Sequence, residues 1–299
     1  MDLGGTKVEM AIVEATGKVH ALRKELLHLE QGKDKVIQDL LTWGSEMITD
    51  FPSLAKVGIS SCGPLDPVEG VLLDATNLIT DGKGWGTVPL RAIVEEGLKR
   101  PTRLDNDAAC CALAERWLGV GKRENCSNLM VLTLGTGLGT GIICNGQLFR
   151  SGRYLHPEAG HTIIAFDDEA HDCFCGVHGD SEAYLSGMNF TRNFNRKHAS
   201  TFSARELTAL ARSGDADALT AFDLYARAMA ATLHNYCVIF CPEWIVLSGS
   251  FSEAFDIFGD KVRDQLRGLL NRRENILPQI CVSELQNHSC LLGAASLCF

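Results

Sequence analysis

The order of hydrophobic and polar positions predicts strands mixed with helices. In the opening segment, "DLGGTKVEMAIVEATGKVHALRKELL", Gly4 and Gly5 break the chain and Gly17 gives the next reversal. This pattern predicts turn, strand, turn and strand. A helix is predicted over about 33–50, where apolar residues recur three and four positions apart.

The remaining segments continue the alternation. "KVGISSCGPLD" predicts a buried strand, and "TRLDNDAACCALAERWLG" a strand end, a turn and an alanine-rich helix. "LMVLTLGTGLGTGIICNGQLF" predicts two strands about a Gly/Thr turn, followed by a tight reversal at Asn145-Gly146. Helices follow from about residue 203, then a buried strand in "EWIVLSGSF" and a closing helix in "SCLLGAASLCF". These elements indicate an α/β protein.

Composition narrows the function classes. The chain has 299 residues, 45% of them hydrophobic, which is enough for two medium domains or one large domain. Its net charge of -9 argues against a nucleic-acid groove or an anionic membrane surface as the partner. No apolar run approaches the roughly 20 residues that span a bilayer. Backbone amides can still hold a small anion locally.

The twelve cysteines are interpreted mainly as buried thiols. Four of them lie in apolar runs, where cysteine behaves as a small buried hydrophobe: Cys110, Cys111, Cys237 and Cys241. We expect no cleavable signal, and therefore a reduced protein in the cytoplasm. Cys173 and Cys175 differ, because their polar surroundings are typical of ligands.

Two glycine–threonine turns are candidate phosphate sites. "DLGGTK" and "LGTGLGTG" each place Gly and Thr before an apolar strand. Glycine lets the backbone approach a phosphate closely, and threonine hydroxyls and amides donate to its oxygens. For one such turn alone, an ordinary hairpin is an equally good explanation. Neither turn is a Walker A loop or a dinucleotide fingerprint.

Two further stretches carry candidate chemistry. In "DNDA", Asp105, Asn106 and Asp107 either cap the following helix or supply a carboxylate base. Histidines and two cysteines gather around Glu158 and Glu182, in "HPEAGH" and "HDCFCGVHGDSE". The residues alone leave open a catalytic metal centre, a structural clip or part of a binding pocket.

Together these segments resemble the ROK family of sugar kinases. The matching pieces are "DLGGTK", "GPLD", "DNDAACCALAE", "LGTGLGTGI", "HPEAGH", "CFCGVHGDSEAYLSG" and "IVLSGS", in the family's order over nearly the whole chain. The resemblance implies two ribonuclease-H-like domains of the actin, Hsp70 and hexokinase type, with ATP and sugar in a central cleft. We expect a domain at 1–107, completed by a C-terminal helix at 288–299, and a larger domain at 108–287.

The resemblance also assigns roles. A sugar hydroxyl needs a carboxylate to accept its proton, and the triphosphate needs donors and Mg²⁺ to hold it. Asp107 is the implied base, Asn106 a sugar ligand and Asp2 the residue that orients Mg²⁺ through water. The implied nucleotide ligands are Gly5, Thr6, Lys7, Gly135, Thr136, Gly137, Gly249 and Ser250. For Gly249 and Ser250 a plain turn after a strand explains the residues equally well.

For the histidine- and cysteine-containing stretch, the resemblance implies a sugar pocket beside a structural zinc. Glu158 and Glu182 would accept hydrogen bonds from sugar hydroxyls, with His161 in the zinc site or the adjoining pocket. The family pattern is C-x-C-G-x-x-G-C-x-E, and Asp180 stands here at the third cysteine. Aspartate can ligate zinc, and His178 is an alternative ligand. We expect a zinc held by His161, Cys173, Cys175 and Asp180.

The start of the chain departs from the family. Only Met1 precedes Asp2, whereas a strand normally has about five or six residues. Either the sequence begins late or the first strand is short; a short strand should weaken nucleotide binding.

The predicted function is an ATP-dependent hexose kinase, glucose first, in a homodimer. The alternatives are a fructokinase, an N-acetylhexosamine kinase, a donor other than ATP, or a non-catalytic sugar-binding protein. A DNA-binding repressor is disfavoured by the charge and by the expected lack of a helix-turn-helix ahead of the first turn.

Overall fold

The structure is a computed structural model that describes residues 1–75, 77–167, 170–285 and 288–299. The chain forms two compact units. The first unit comprises Met1–Gly119, Leu148–Pro157 and His288–Phe299. The second unit comprises Val120–Gln147 and Glu158–Asn287.

Strands and helices alternate along the chain, as the sequence pattern predicts. The strands are β1 (Asp2–Leu3), β2 (Lys7–Val13), β3 (Val19–Leu26), β4 (Val57–Ser61), β5 (Leu65–Asp66), β6 (Val71–Leu73), β7 (Ile79–Thr80), β8 (Lys83–Gly84), β9 (Thr87–Val88), β10 (Thr102–Asn106), β11 (Leu129–Leu134), β12 (Leu138–Cys144), β13 (Gln147–Leu148), β14 (Trp244–Ser248) and β15 (Gln279–Val282). The helices are α1 (Lys33–Asp50), α2 (Leu90–Leu98), α3 (Asp107–Trp117), α4 (Val120–Arg123), α5 (Ser181–Leu185), α6 (Gly187–His198), α7 (Ala204–Arg212), α8 (Ala216–Phe240), α9 (Phe255–Leu270) and α10 (Ser289–Ser296).

The first unit is built on a five-stranded sheet in the order β10-β4-β1-β2-β3. Strand β1 runs parallel to β4, and β4 parallel to β10. On its other side β1 is antiparallel to β2, and β2 to β3. Small sheets of β5-β6-β9 and β7-β8 join this unit.

The second unit repeats this arrangement, with strand order β13-β12-β11-β14-β15. Strand β11 is antiparallel to β12 and parallel to β14, which is parallel to β15. Its core includes Leu132 on β11 and Phe222 and Tyr225 on α8, all at most 1% exposed. The mixed α/β class and the two sheet-and-helix units are those expected from the sequence.

Helix α10 packs on β4 and α3 of the first unit, at two glycines. A Cβ on Gly58 would lie 1.8 Å from the carbonyl oxygen of Ala294, and one on Gly293 would lie 1.8 Å from that of Cys110. Since neither backbone can yield that far, glycine is required at both positions.

Several local predictions are confirmed. The helix predicted over about 33–50 is α1, the run in "KVGISS" is the buried strand β4, and the Gly/Thr turn joins β11 to β12. The turn predicted in "DNDA" is wrong, because β10 ends at Asn106 and α3 begins at Asp107. Within the described ranges, no cysteine forms a disulfide and no helix has the length and apolarity of a membrane span.

Candidate active site and metal cluster

The carboxyl ends of three parallel strands bring the candidate residues of the first unit to one sheet edge. Asp2 on β1 lies opposite Ser60 on β4, which lies opposite Asp105 on β10. The hydroxyl of Ser60 donates to Asp2 Oδ1 at 2.7 Å. Burial raises the pKa of Asp2, while this hydrogen bond opposes the rise. Ligands commonly bind at such strand ends in α/β sheets.

In the "DNDA" segment, Asn106 caps a helix and Asp107 begins it. The buried Asn106 caps α3, with Oδ1 accepting from the amides of Ala108 at 2.9 Å and Ala109 at 3.3 Å. Asp107 follows as the first helical residue and is half-buried. At that position the helix dipole favours its ionised form. The capping interpretation therefore holds for Asn106, and Asp107 lies at the sheet edge.

Arg150 is a neighbour that the sequence analysis missed. Its guanidinium makes a bidentate ion pair with Asp105, with Nη1 2.9 Å from Oδ1 and Nη2 bonded to Oδ2. Asp105 is 2% exposed, so the pair holds a buried carboxylate directly before Asn106. The two residues are 45 positions apart, and no local pattern could have found them.

The first Gly/Thr turn connects β1 to β2 and is crowded at one glycine. A Cβ on Gly5 would lie 2.8 Å from the carbonyl oxygen of Asn77. Thr6 is exposed and accepts a bond from the Leu27 amide through its carbonyl. Lys7, expected to face phosphate, here bonds the buried Glu9 at 2.7 Å.

The second Gly/Thr turn borders a cavity of about 850 Å³ within the second unit. Gly135 N donates to Gly137 O at 3.1 Å, which closes the turn. Gly135, Thr136 and Ser250 all line this cavity. Gly249 has φ +85°, and a Cβ there would lie 2.5 Å from the Leu134 carbonyl oxygen. It therefore shapes the turn after β14.

Glu182 contacts both this turn and the cysteine-rich stretch. Its Oε2 accepts from the Leu138 amide at 2.7 Å, and the Cys173 thiol donates to Oε1 at 3.3 Å. A Cβ on Gly137 would lie 2.7 Å from Glu182 Oε2, so glycine leaves room for this carboxylate. Glu182 is a sugar ligand expected from the family resemblance, whereas its contacts with Leu138 and Cys173 are not predicted by any local pattern.

Glu158, the second expected sugar ligand, is exposed. Its carbonyl accepts from the His161 amide at 3.1 Å. Desolvation raises the pKa of the Glu158 carboxyl, opposed by His161. The side chain is thus available to a ligand.

Four residues named from the sequence come together as a possible metal cluster. The ligand atoms of His161, Cys173, Cys175 and Asp180 lie within 4.8 Å of one another. His161 Nδ1 is 2.8 Å from Asp180 Oδ2 and 3.6 Å from Cys175 Sγ. Tetrahedral zinc with ligands at about 2.0–2.3 Å requires ligand separations of roughly 3.3–3.8 Å. The donor set therefore fits zinc after small adjustments.

The electrostatics of the cluster centre on Asp180. It is fully buried, and its Oδ1 caps α5 by accepting from the Ala183 amide at 2.8 Å. Burial opposes ionisation, but the bonds from His161 and Ala183 leave its pKa lowered. The same Asp180 bond raises the pKa of His161. An anionic Asp180 with two thiols is a set of ligands suited to a cation.

His178, the alternative ligand, lies outside the cluster. Its Nδ1 is 2.5 Å from Asp172 Oδ1, and its side chain is 75% exposed. His171 stacks on Tyr184 with ring centroids 4.3 Å apart. Of the two alternative fourth ligands, Asp180 is therefore the one that lies in the cluster.

Comparison with known proteins agrees with this arrangement. The ROK family matches residues 1–299. A glucokinase of Thermotoga maritima is 28% identical, over 99% of this chain and 95% of its own. An N-acetyl-D-glucosamine kinase of Escherichia coli K12 is 30% identical, over 89% and 87% respectively.

A solved structure supports the fold. A ROK family glucokinase from Streptomyces griseus, in complex with glucose and AMPPNP, superposes with a TM-score of 0.80 at 25% identity. The alignment covers 99% of this chain and 97% of that one. The motifs, the two sheets and a match over every residue lead to one conclusion: this chain belongs to the ROK family.

Proposed function

We propose that this protein is an ATP-dependent sugar kinase that phosphorylates a hexose hydroxyl. The observation that carries the proposal is the convergence of Asp2, Asn106 and Asp107 at the carboxyl edge of the first sheet. Carboxylates at a strand end, next to a Gly/Thr turn, suit phosphoryl transfer, which needs a base and a positioned phosphate. The two curated relatives compared above are named glucokinase and N-acetyl-D-glucosamine kinase.

In this mechanism Asp107 accepts the proton of the attacking sugar hydroxyl. It is half-buried at the first position of α3, where the dipole keeps it ionised. The Asn106 side-chain oxygen is committed to the helix cap, so we assign its amide to the sugar. Arg150 binds Asp105 and thereby fixes the end of β10, from which Asn106 and then Asp107 follow.

The nucleotide is assigned to the Gly/Thr turns. Gly5, Thr6 and Lys7 in the first unit and Gly135, Thr136 and Gly137 in the second are assigned to phosphate oxygens. The cavity lined by Thr136 and Ser250 is large enough for a nucleoside. Mg²⁺ would be oriented by Asp2 and, when bound, would neutralise charge on the phosphates.

Glu158 and Glu182 are assigned to sugar hydroxyls, with His161 beside them. The exposed Glu158 can accept bonds directly. Glu182 already accepts the Leu138 amide, which orients its carboxylate. We propose glucose as the first substrate; relatives named for glucose and for N-acetyl-D-glucosamine both match, so the acetylated sugar is the second candidate.

We further propose that His161, Cys173, Cys175 and Asp180 hold a structural zinc. The fourfold donor set leaves no open position for a catalytic water. Metal analysis of protein purified without chelator should give one zinc per chain. Cys175→Ser should lose it and Asp180→Cys should retain it, whereas equal zinc in the Cys175→Ser variant would contradict the assignment.

The proposed activity is tested by ADP release with glucose, mannose, fructose, N-acetylglucosamine and N-acetylmannosamine. Turnover should depend on sugar and be fastest with glucose. If turnover is fastest with an N-acetylated sugar, glucose is the wrong substrate and the proposed kinase activity still stands. Folded protein that releases no ADP with any sugar would refute the kinase proposal.

A further inference from the structure

Helix α8 carries two buried hydroxyl groups one helical turn apart. Thr232 is 0% exposed and Tyr236 is 1% exposed. Residues four positions apart lie on the same face of an α-helix. Both hydroxyls bond outside the helix, to a first segment, 158–162, and a second segment, 180–182.

The first segment is too short to hold its shape alone. Its helical part is one 3₁₀ turn, Ala159–His161, which is closed by the bond from Thr162 N to Ala159 O at 3.2 Å. A single turn fixes several backbone dihedral angles for very few hydrogen bonds, so its formation is unfavourable without packing. Contacts from the rest of the unit must therefore fix the positions of Glu158 and His161, which lie at its two ends.

Tyr236 and strand β12 hold this turn. The Tyr236 hydroxyl donates to the carbonyl oxygen of Ala159 at 2.7 Å. The next residue, Gly160, lies against β12, where a Cβ would be 2.2 Å from the carbonyl oxygen of Leu138. The turn is therefore seated on β12 and bonded to α8, and the bond to α8 depends on one side-chain hydroxyl.

Thr232 reaches the second segment through Ser181. The Thr232 hydroxyl donates to Ser181 Oγ at 2.9 Å, and Ser181 Oγ donates to Thr162 O at 3.1 Å. The Ser181 amide donates to the same carbonyl at 2.9 Å. Asp180 and Glu182 are the two neighbours of Ser181 in the sequence. One chain of hydrogen bonds thus joins α8 to both segments.

The hydrogen bonds of this chain are shielded from water. Ser181 is 0% exposed, as is Thr232. In such surroundings a fully bonded polar network fixes its members rigidly, because water does not compete for the partners. The two segments carry the side chains that the second unit contributes to the proposed sugar site, which are Glu158, Glu182 and the adjoining His161. The two hydroxyls of α8 therefore determine where these side chains lie.

We propose that Thr232 and Tyr236 are positioning residues for sugar binding, which hold Glu158 and Glu182 in place through the two segments. This role rests on the proposed function, which assigns both carboxylates to sugar hydroxyls. The two hydroxyls act through the backbone, and the contacts with sugar belong to the side chains that they position. Their loss should weaken the binding of sugar and leave the chemical step intact.

The test removes one hydroxyl at a time, in Tyr236→Phe and Thr232→Val, with little change in side-chain volume. ADP release is measured at saturating ATP with the sugar that the parent protein turns over fastest. KM for sugar should rise roughly threefold to tenfold in each variant, the size expected from one buried hydrogen bond. The values of kcat and of KM for ATP should stay within about twofold of the parent. Thr232→Ser keeps a hydroxyl and should restore the parental KM for sugar.

Tyr225 on the same helix offers a matched control. It is also 1% exposed, and its hydroxyl donates to Leu185 O at 3.1 Å, beyond the second segment. Tyr225→Phe should lower the melting temperature as Tyr236→Phe does, with KM for sugar unchanged. An equal rise of KM in Tyr225→Phe would overturn the proposal, because any buried hydroxyl would then have the same effect. Parental KM in Tyr236→Phe or in Thr232→Val would overturn the role of that residue.

Hydrogen exchange separates this proposal from the kinase proposal, because it needs neither sugar nor ADP release. The amides of Thr162 and Ser181 should exchange faster in both variants than in the parent protein, and at the parental rate in Tyr225→Phe. Unchanged exchange would refute the support of the segments by α8. If the parent releases no ADP with any sugar, the kinase proposal fails, and the calorimetric Kd for glucose replaces KM in the same comparison. Faster exchange with an unchanged KM or Kd would also overturn the positioning role.

Discussion

The two sheets have the same strand order and differ most in their central strand. In the second unit β11 has six residues, Leu129–Leu134, which pair with β12 and β14 and are all buried except the half-buried Thr133. In the first unit β1 has two residues, Asp2–Leu3. Both strands end in a Gly/Thr turn. Both strands therefore lead into a turn of the same composition, and in β11 the four residues Leu129–Leu132 ahead of the polar end are fully buried.

This difference separates two tasks of a central strand. Residues at its carboxyl end position polar groups, as Asp2 does beside Ser60. Residues further back bury apolar area, as Leu132 does at 0% exposure. On β2 of the first unit, residues 11–13 are half-buried.

The largest expected effect comes from truncating a side chain in each sheet. Leu132→Ala should cost about 2–5 kcal/mol, because it opens a cavity in a filled core. Ile12→Ala on β2, where the side chain is only half-buried, should cost no more than about 1.5 kcal/mol. Urea unfolding of both variants measures the difference. Equal costs would show that the region around Ile12 is packed as tightly as β11.

The second comparison concerns the two Gly/Thr turns. In Gly5→Ala the new Cβ would meet the backbone oxygen of Asn77 at 2.8 Å, and the overpacking should cost about 1–3 kcal/mol. In Gly137→Ala it would meet Glu182 Oε2 at 2.7 Å. That carboxylate can swing away, with the loss of one hydrogen bond worth about 0.5–1.5 kcal/mol.

Gly135→Ala is the control for this pair, since its Cβ would meet nothing within 4 Å. Its melting temperature should stay close to that of the parent protein. If Gly137→Ala proves more costly than Gly5→Ala, then Glu182 is fixed more rigidly than its contacts with Leu138 and Cys173 suggest.

The third comparison concerns the response of the first unit to acid. Burial, with help from Arg150, lowers the pKa of His156 to about 4 from 6.5. Between these values the unfolded chain binds a proton that the folded chain does not. Stability should therefore fall as the pH drops from 6.5 towards 4, by less than about 1.4 kcal/mol per pH unit.

Hydrogen exchange of 150–156 measures this response, with β14 in the second unit as the internal reference. In His156→Gln the new side chain cannot take up the proton. The protection of the amides of 150–156 should then no longer depend on pH. If the amides of 150–156 in the parent protein keep the same protection from pH 6.5 to about 4, then His156 is not buried in its neutral form.

The sequence predicted those features whose causes are local. The spacing of Val36 and Leu40 fixes the buried face of α1, and the apolar run at Val57–Ser61 predicts β4. Three of the four cluster residues, Cys173, Cys175 and Asp180, lie in one short stretch of the sequence, and the fourth is the upstream His161. Family resemblance supplied the roles, because "DNDA" alone favours a helix cap over a catalytic base.

The features that sequence reasoning missed depend on contacts distant in the chain. Arg150 and Asp105 meet only because the segment Leu148–Pro157 returns to the first unit. Glu182 reaches the Leu138 amide across 44 positions.

The central claim, that Asp107 is the base of a sugar kinase, is tested most directly by kcat for ADP release in Asp107→Asn. The variant keeps the Asn106 cap and the helix start, so the protein should remain folded, and Asp264→Asn, on the exposed face of α9, is the control. Asp107→Asn should lower kcat by about 10²–10⁴, and Asp264→Asn should leave kcat unchanged. A folded Asp107→Asn protein with parental kcat would contradict the account.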